Sequence, residues 1–327
     1  MMMEKNLFMN IFMINLMILI NFISLMLNDL LLLWFLMEIS SFTLISYFLM
    51  SKMNKKMIFF YYLVQFLSSS ILLIMILMMN YFSMYNFYKF MLLISLFIKL
   101  NIPPFHFWML MIMKYLNWMK ILLVLYIQKI IPFYILSFNL FNSYVFWFSI
   151  LISLIIPPFK LLNEKNLKII FFFSSINQSS WLIILIQMKN LIWLLYFFLY
   201  SLIMMMSIYM INMFKVYSNF KYINSYLYNL LFFMLILNFS SLPPFIFLIF
   251  KWFNVFIFLK MFNFNLLFFM LMMNSLIMTF NYLNMCYIIL YKKIFYNKFI
   301  LFTNFNMKLL LYVIMLLLFL MLIIIIM

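Results

Sequence analysis

Glycine, alanine and arginine are absent from all 327 positions, cysteine and histidine occur once each, and only four residues are acidic. Each absence excludes something. The single cysteine, Cys286, permits no disulfide within the chain, and no cysteine or histidine set exists that would hold zinc, copper, an iron–sulfur cluster or paired haem ligands. Charged residues make up 8% of the chain and apolar residues 71%, whereas soluble domains have roughly 25% and 45–50%. No water-soluble core can absorb that much apolar surface.

What is present follows a different solvent. Mean hydropathy is +1.23, and apolar runs long enough to cross about 30 Å of hydrocarbon as helices recur from end to end. The first, Leu7 to Leu27, is too long for a signal peptide and reads as a retained span. The runs lack the polar–apolar alternation of a membrane barrel. The expectation is an all-α, polytopic membrane protein of about eleven spans: 7–27, 30–50, 57–79, 87–113, 121–137, 143–158, 166–186, 191–213, 228–258, 263–289 and 307–327. Alternating the loops between two sides places fifteen of the 21 lysines on the side of the N-terminus and three opposite, with Lys99, Lys129 and Lys251 inside spans. That asymmetry is the positive-inside pattern, so the net charge of +17 reports topology and not nucleic-acid binding. The missing residues have GC-rich codons, while the abundant Phe (47), Met (37), Ile, Leu, Asn, Lys and Tyr have AT-rich ones. A mitochondrial genome under AT pressure, reading ATA as methionine, explains both. The N-terminus then faces the matrix and the methionines are adaptable core filler.

Two spans carry an internal proline pair: Leu100-Asn101-Ile102-Pro103-Pro104-Phe105 in the fourth and Ser240-Ser241-Leu242-Pro243-Pro244-Phe245 in the ninth. Two adjacent prolines remove two amide donors and interrupt a helix. The odd offset between these spans makes them enter from opposite sides. Discontinuous helices in inverted repeats are therefore expected, within one membrane domain over 1–327: repeats 30–137 and 143–258, then C-terminal helices over 263–327. A third pair, Pro157-Pro158, falls at a span end and reads as a simple stop.

The charges left inside spans are Glu38, Lys99, Lys129 and Lys251. Each costs roughly 2.5–3.5 kcal/mol to insert, which favours function over filler. Carrying a proton across hydrocarbon needs groups that gain and lose one, and an amine whose charge is weighed between burial and a nearby carboxylate does that. His106, just past the first proline pair, is a candidate relay or a hydrogen-bonded structural histidine. Asp29 caps the second span, and Glu164 sits in a lysine-rich polar loop.

At these residues the sequence resembles subunit 2 of NADH:ubiquinone oxidoreductase, the smallest antiporter-like subunit of respiratory complex I. The pieces are Trp34-Phe35-Leu36-Met37-Glu38, Ile98-Lys99-Leu100 with Pro104-Phe105-His106-Phe107-Trp108, Gln128-Lys129-Ile130-Ile131-Pro132, Ser174-Ser175-Ile176, and Leu242-Pro243-Pro244 with Lys251-Trp252. The resemblance implies a proton-translocating chain in the mitochondrial inner membrane. Glu38 and Lys99 would form its first charge pair, Lys129 its central relay and Lys251 the lysine of the second broken helix. It also implies that no cofactor is held here, NADH, FMN, iron–sulfur clusters and ubiquinone belonging elsewhere in the complex. The expected partners are other membrane-arm and accessory subunits and lipids such as cardiolipin. Three positions depart from the family pattern: Ser240-Ser241 replace Gly-Gly, Pro103 stands beside Pro104 where a small residue is usual, and Gln178 replaces a common histidine. A stand-alone cation/proton antiporter and a non-conducting membrane scaffold are the competing readings.

Overall fold

The computed structural model describes residues 2–51, 53–78, 85–138, 144–164, 166–188, 192–213, 235–241, 246–261 and 265–295, and all regular secondary structure among them is helical. The helices are α1 (Met2–Ser24), α2 (Leu30–Met50), α3 (Lys55–Met78), α4 (Tyr85–Leu100), α5 (Phe107–Met113), α6 (Trp118–Leu125), a 3-10 turn (Ile127–Lys129), α7 (Ile130–Phe138), α8 (Tyr144–Asn163), α9 (Leu167–Gln187) and α10 (Ile192–Met213). A short helical stretch, 235–240, is termed α11. It is followed by α12 (Ile246–Met261) and α13 (Asn265–Phe295). Six described helical segments are long and apolar enough to cross a membrane. The expected span 307–327 and the pair Pro243-Pro244 lie outside the described residues.

The described chain divides into two compact units, Met1–Pro157 with Lys168–Trp193, and Pro158–Leu167 with Leu194–Met327. In the first, α1, α2, α3 and α4 pack in sequence, and α7 packs against α1, α2 and α4. The outward faces of α1 to α3 are apolar: Phe12, Phe22, Phe35, Phe59 and Phe66 are all exposed. Lipid accepts such faces, whereas water would not. Every residue from Ile169 to Met188 is buried, Ser174, Ser175, Asn177 and Gln178 among them. A helix buried all round is chosen for packing, so polar side chains along it need a reason.

The second unit is knitted by rings. Tyr196 meets Phe247 at 5.9 Å and Phe250 at 5.7 Å between centroids, Tyr200 meets Phe247 at 5.9 Å, and Phe239 meets Tyr282 at 6.0 Å. Phe239 also stacks on Phe247 at 6.1 Å, and together these contacts join α10, α11, α12 and α13. Along α12 the buried positions are Phe247, Phe250, Lys251, Asn254, Val255 and Phe258, one stripe at helical spacing, while Trp252, Phe253 and Phe256 face outward.

The proline pairs act differently from one another. Pro157-Pro158 does not stop a helix, since α8 continues through it to Asn163. Asn281 on α13, buried, donates its amide N–H to the Pro158 carbonyl at 2.8 Å. A tertiary hydrogen bond thus accompanies the interruption that two missing amides make in the α8 ladder. The helices also run further than hydropathy implies. Lys120 and Lys160, outside the expected spans 121–137 and 143–158, lie in α6 and α8. At 31 residues, α13 is about 46 Å long, more than a bilayer core requires. Asp29 occupies the N-cap position of α2 without a side-chain capping bond.

Candidate functional site

The end of α4 is built by a specific chain signal. Asn101 adopts φ 62°, its N–H bonds the Ile98 carbonyl at 3.3 Å, and the Ile102 N–H reaches back to the Phe97 carbonyl at 3.1 Å. These two bonds are the Schellman closure of a helix, with a left-handed residue after the C-cap. Asparagine tolerates that conformation and the prolines that follow cannot continue the helix. Helical hydrogen bonding resumes at Phe107, with His106 at the N-cap position of α5. Lys99 therefore sits in the last turn of α4, where the unpaired carbonyl end of the helix favours a cation.

Across from it, on α2, is Glu38. The Lys99 Nζ donates to Glu38 Oε1 at 3.0 Å, with the two side chains 2% and 14% exposed. The partners are 61 positions apart, so only the packing of α2, α3 and α4 brings them together. At this separation the charge-assisted bond is strong and mutually neutralising, and each charge depends on the other for its place in the core.

Lys129, also buried, lies in the 3-10 turn between α6 and α7. Pro132 has no N–H to give the Gln128 carbonyl four residues back, which interrupts the ladder at this turn and lets α7 restart with the proline in its first turn. The fifth span, expected to be continuous over 121–137, is irregular at Tyr126–Lys129 for this reason. The Lys129 Nζ contacts Ser175 Oγ on α9 at 3.4 Å, and that hydroxyl donates its own proton to the Phe172 carbonyl at 2.8 Å. Lysine thus meets serine lone pairs, not a carboxylate.

In the second unit the same chemistry recurs. Lys251 Nζ donates to Ser241 Oγ at 2.7 Å, and the Ser241 hydroxyl donates to the Ser240 carbonyl at 2.7 Å. Ser241 ends α11 with φ 52°, and its N–H bonds the Asn238 carbonyl at 3.2 Å, as Asn101 does with Ile98. Ser240 donates to the Leu237 carbonyl at 2.6 Å. Serines therefore bond helix-end carbonyls at this position, although the proline pair itself is outside the described residues.

Between Lys99 and the Lys129 turn is a narrow cavity of water size, lined in part by Ser41, Tyr61, Gln65, Lys99, Asn101 and Gln128. His106, buried, lies tilted against Phe107 at 4.1 Å and Phe173 at 6.4 Å between centroids. The structure brings Glu38, Lys99 and the turn of Lys129 together in the first unit and places Lys251 on the buried face of α12 in the second. Sequence reading by charge did not single out three buried neutral amides. Asn177, Asn238 and Asn254 are buried, and their amide atoms bond no described protein atom. The available signal for Asn254 was its place three residues after Lys251 on one helical face. No group of three or more metal-ligating side chains is present among the described residues.

Fold and site together define a multi-pass helical membrane protein with an ion pair and further lysines buried inside its spans. No family model matches the chain. Curated proteins named NADH-ubiquinone oxidoreductase chain 2 are similar to it over part of their length. The protein of that name from Aedes aegypti is 38% identical over 154 residues, 46% of this chain and 45% of that protein. The one from Anopheles gambiae is 33% identical over 192 residues, 56% of each. The chain thus spans about half the length of these relatives. Among solved structures, a chain of respiratory complex I from Thermus thermophilus with bound aureothin superposes with a TM-score of 0.68 at 18% identity, covering 79% of this chain and 65% of that one. A chain of the Mrp complex from Dietzia sp. DQ12-45-1b gives 0.68 at 14% identity, covering 81% and 57%. These two likenesses establish a shared fold.

Proposed function

We propose that this chain is a proton-translocating membrane subunit of NADH:ubiquinone oxidoreductase, respiratory complex I, in the mitochondrial inner membrane. Its N-terminus faces the matrix. The path runs over Glu38, Lys99, Lys129 and Lys251, with His106 as a candidate relay, through about eleven spans arranged as inverted repeats 30–137 and 143–258 with two discontinuous helices. The observation that carries this reading is the buried Glu38–Lys99 pair at 3.0 Å, separated from the Lys129 turn by a water-sized polar cavity. A carboxylate moving toward or away from Lys99 changes how strongly that amine holds a proton. Lys129, held by a hydroxyl, responds to the charge of its neighbour instead.

Each proton moved outward against the membrane potential requires about 2.3 kcal/mol per 100 mV. On this reading, which follows the resemblance to subunit 2, electron transfer belongs to other subunits and reaches this chain through conformational and electrostatic change. A stand-alone cation/proton antiporter is a second reading, which the shared fold accommodates equally well.

Native purification separates the two. Inner-membrane extracts are resolved without denaturant, and this chain is followed by peptide mass spectrometry beside NADH-oxidising activity. It is expected only in the large NADH-oxidising assembly. An active, free chain exchanging cations for protons in vesicles would support the antiporter reading and count against the complex I reading.

A further inference from the structure

Gln128 carries no charge, yet it links the turn of Lys129 to α2, the helix of Glu38, and lines the cavity that Lys99 also lines. Its Nε2 donates to the Ser40 carbonyl at 2.9 Å, and its Oε1 lies 3.4 Å from the Ser40 hydroxyl, which also donates to the Met37 carbonyl at 2.8 Å. Ser40 is two residues beyond Glu38 on α2, and Gln128 immediately precedes Lys129. The same amide lines the cavity shared with Lys99, Asn101 and Gln65. The turn that holds it is poorly fixed by its own helix, because 3-10 bonding is weaker than α and Pro132 offers no donor to the Gln128 carbonyl. Its tethers come from elsewhere: Gln128 to α2, and Asn21 of α1, which donates to the Ile127 carbonyl at 3.0 Å.

We propose that Gln128 is a positioning residue that holds Lys129 in register with the Glu38–Lys99 pair and orients a water in the cavity between them. Any shift of α2 that alters the pair is transmitted through the Ser40 carbonyl to the turn of Lys129. The inference rests on the proton-path reading above. A purely structural clamp would make a different prediction, because its loss would lower stability without changing how many protons move per electron.

The test uses the assembled complex in inner-membrane vesicles carrying Gln128→Met, Gln128→Glu or Lys129→Met. Protons moved per electron, NADH:quinone rate and the pH profile of pumping are measured for each. Gln128→Met keeps length and removes both polar contacts, so protons per electron should fall to the level of Lys129→Met. Gln128→Glu covers the case in which the methionine variant does not assemble. A carboxyl group donates to the Ser40 carbonyl only when protonated, so its pumping should be retained at acid pH and lost as pH rises. The groups that set this transition are Lys99 from α4, Tyr61 from α3, Glu38 on α2 and Lys129 in the same turn. Normal pumping by either glutamine variant across the pH range, with Lys129→Met defective, overturns the inference and leaves the proton path standing. Normal pumping by Lys129→Met overturns both.

Discussion

Replacing Glu38 by glutamine leaves the Lys99 amine buried beside a neutral amide. At the observed 3.0 Å two unit charges attract by about 5.5 kcal/mol at an effective dielectric of ~20. Removing one partner of a buried pair typically costs roughly 3–5 kcal/mol, because the survivor stays desolvated and uncompensated. That corresponds to two to four powers of ten in a folding or assembly equilibrium, so Glu38→Gln and Lys99→Met alone should each deplete the assembled complex. The double variant Glu38→Gln/Lys99→Met buries no charge at this point and should recover most of the assembly. Pumping is expected to stay defective in all three, since the double variant restores packing and not a titratable pair. Assembly is read from native gels and thermal dissociation, and pumping from protons moved per electron. A double variant that pumps normally would refute the reasoning, because the pair would then be a structural device only.

Other outcomes follow from individual side chains. Ser241 holds φ 52°, a conformation that strains a non-glycine residue by about 1–2 kcal/mol, while its hydroxyl receives Lys251. Both Ser241→Ala and Ser241→Gly remove that hydroxyl and should lower protons per electron, while Ser241→Gly, which also relieves the strain, should have the higher thermal midpoint of the two; a glycine variant that pumps normally would show the hydroxyl to be dispensable. Pro132→Ala returns a donor to the Gln128 carbonyl, so the α6–α7 segment should become more regular and no less stable, with slower pumping as the Lys129 turn is lost; unchanged pumping in kinetic assays would contradict this. Asn281→Leu removes the buried bond to the Pro158 carbonyl and should lower stability by roughly 1–3 kcal/mol, seen in thermal scans, with protons per electron unaltered.

The helical, multi-pass character of the chain was legible because composition and run length respond to solvent, and α2 begins and ends where hydropathy places it, at Leu30 and Met50. The charges inside spans were legible for the same reason. Their partners were not. The 61-residue separation of Glu38 and Lys99 carries no local signal, and the serine acceptors of Lys129 and Lys251 are chosen by helix packing. Proline was read in too uniform a way. The pair at 157–158 is carried within α8, whereas the single Pro132, present in a stretch read as a continuous span, coincides with the irregular turn at Lys129. Asn101 was the local sign of the α4 terminus, as a residue that tolerates a left-handed conformation two places before proline. The buried asparagines escaped notice because a search by charge does not weigh neutral amides, although burying an unbonded amide is itself expensive.

The central claim, that protons travel through this chain by way of Lys129, is tested most directly by protons moved per electron in vesicles whose assembled complex carries Lys129→Met. Methionine keeps most of the length and apolar contact of lysine and removes the amine, and Lys129→Arg keeps a charge that is not released. The account predicts that both assemble, that both lose protons per electron, and that neither is rescued by lowering the membrane potential. Normal stoichiometry and rate in the assembled Lys129→Met complex would contradict it, and Lys129 would then be a buried structural lysine held by Ser175.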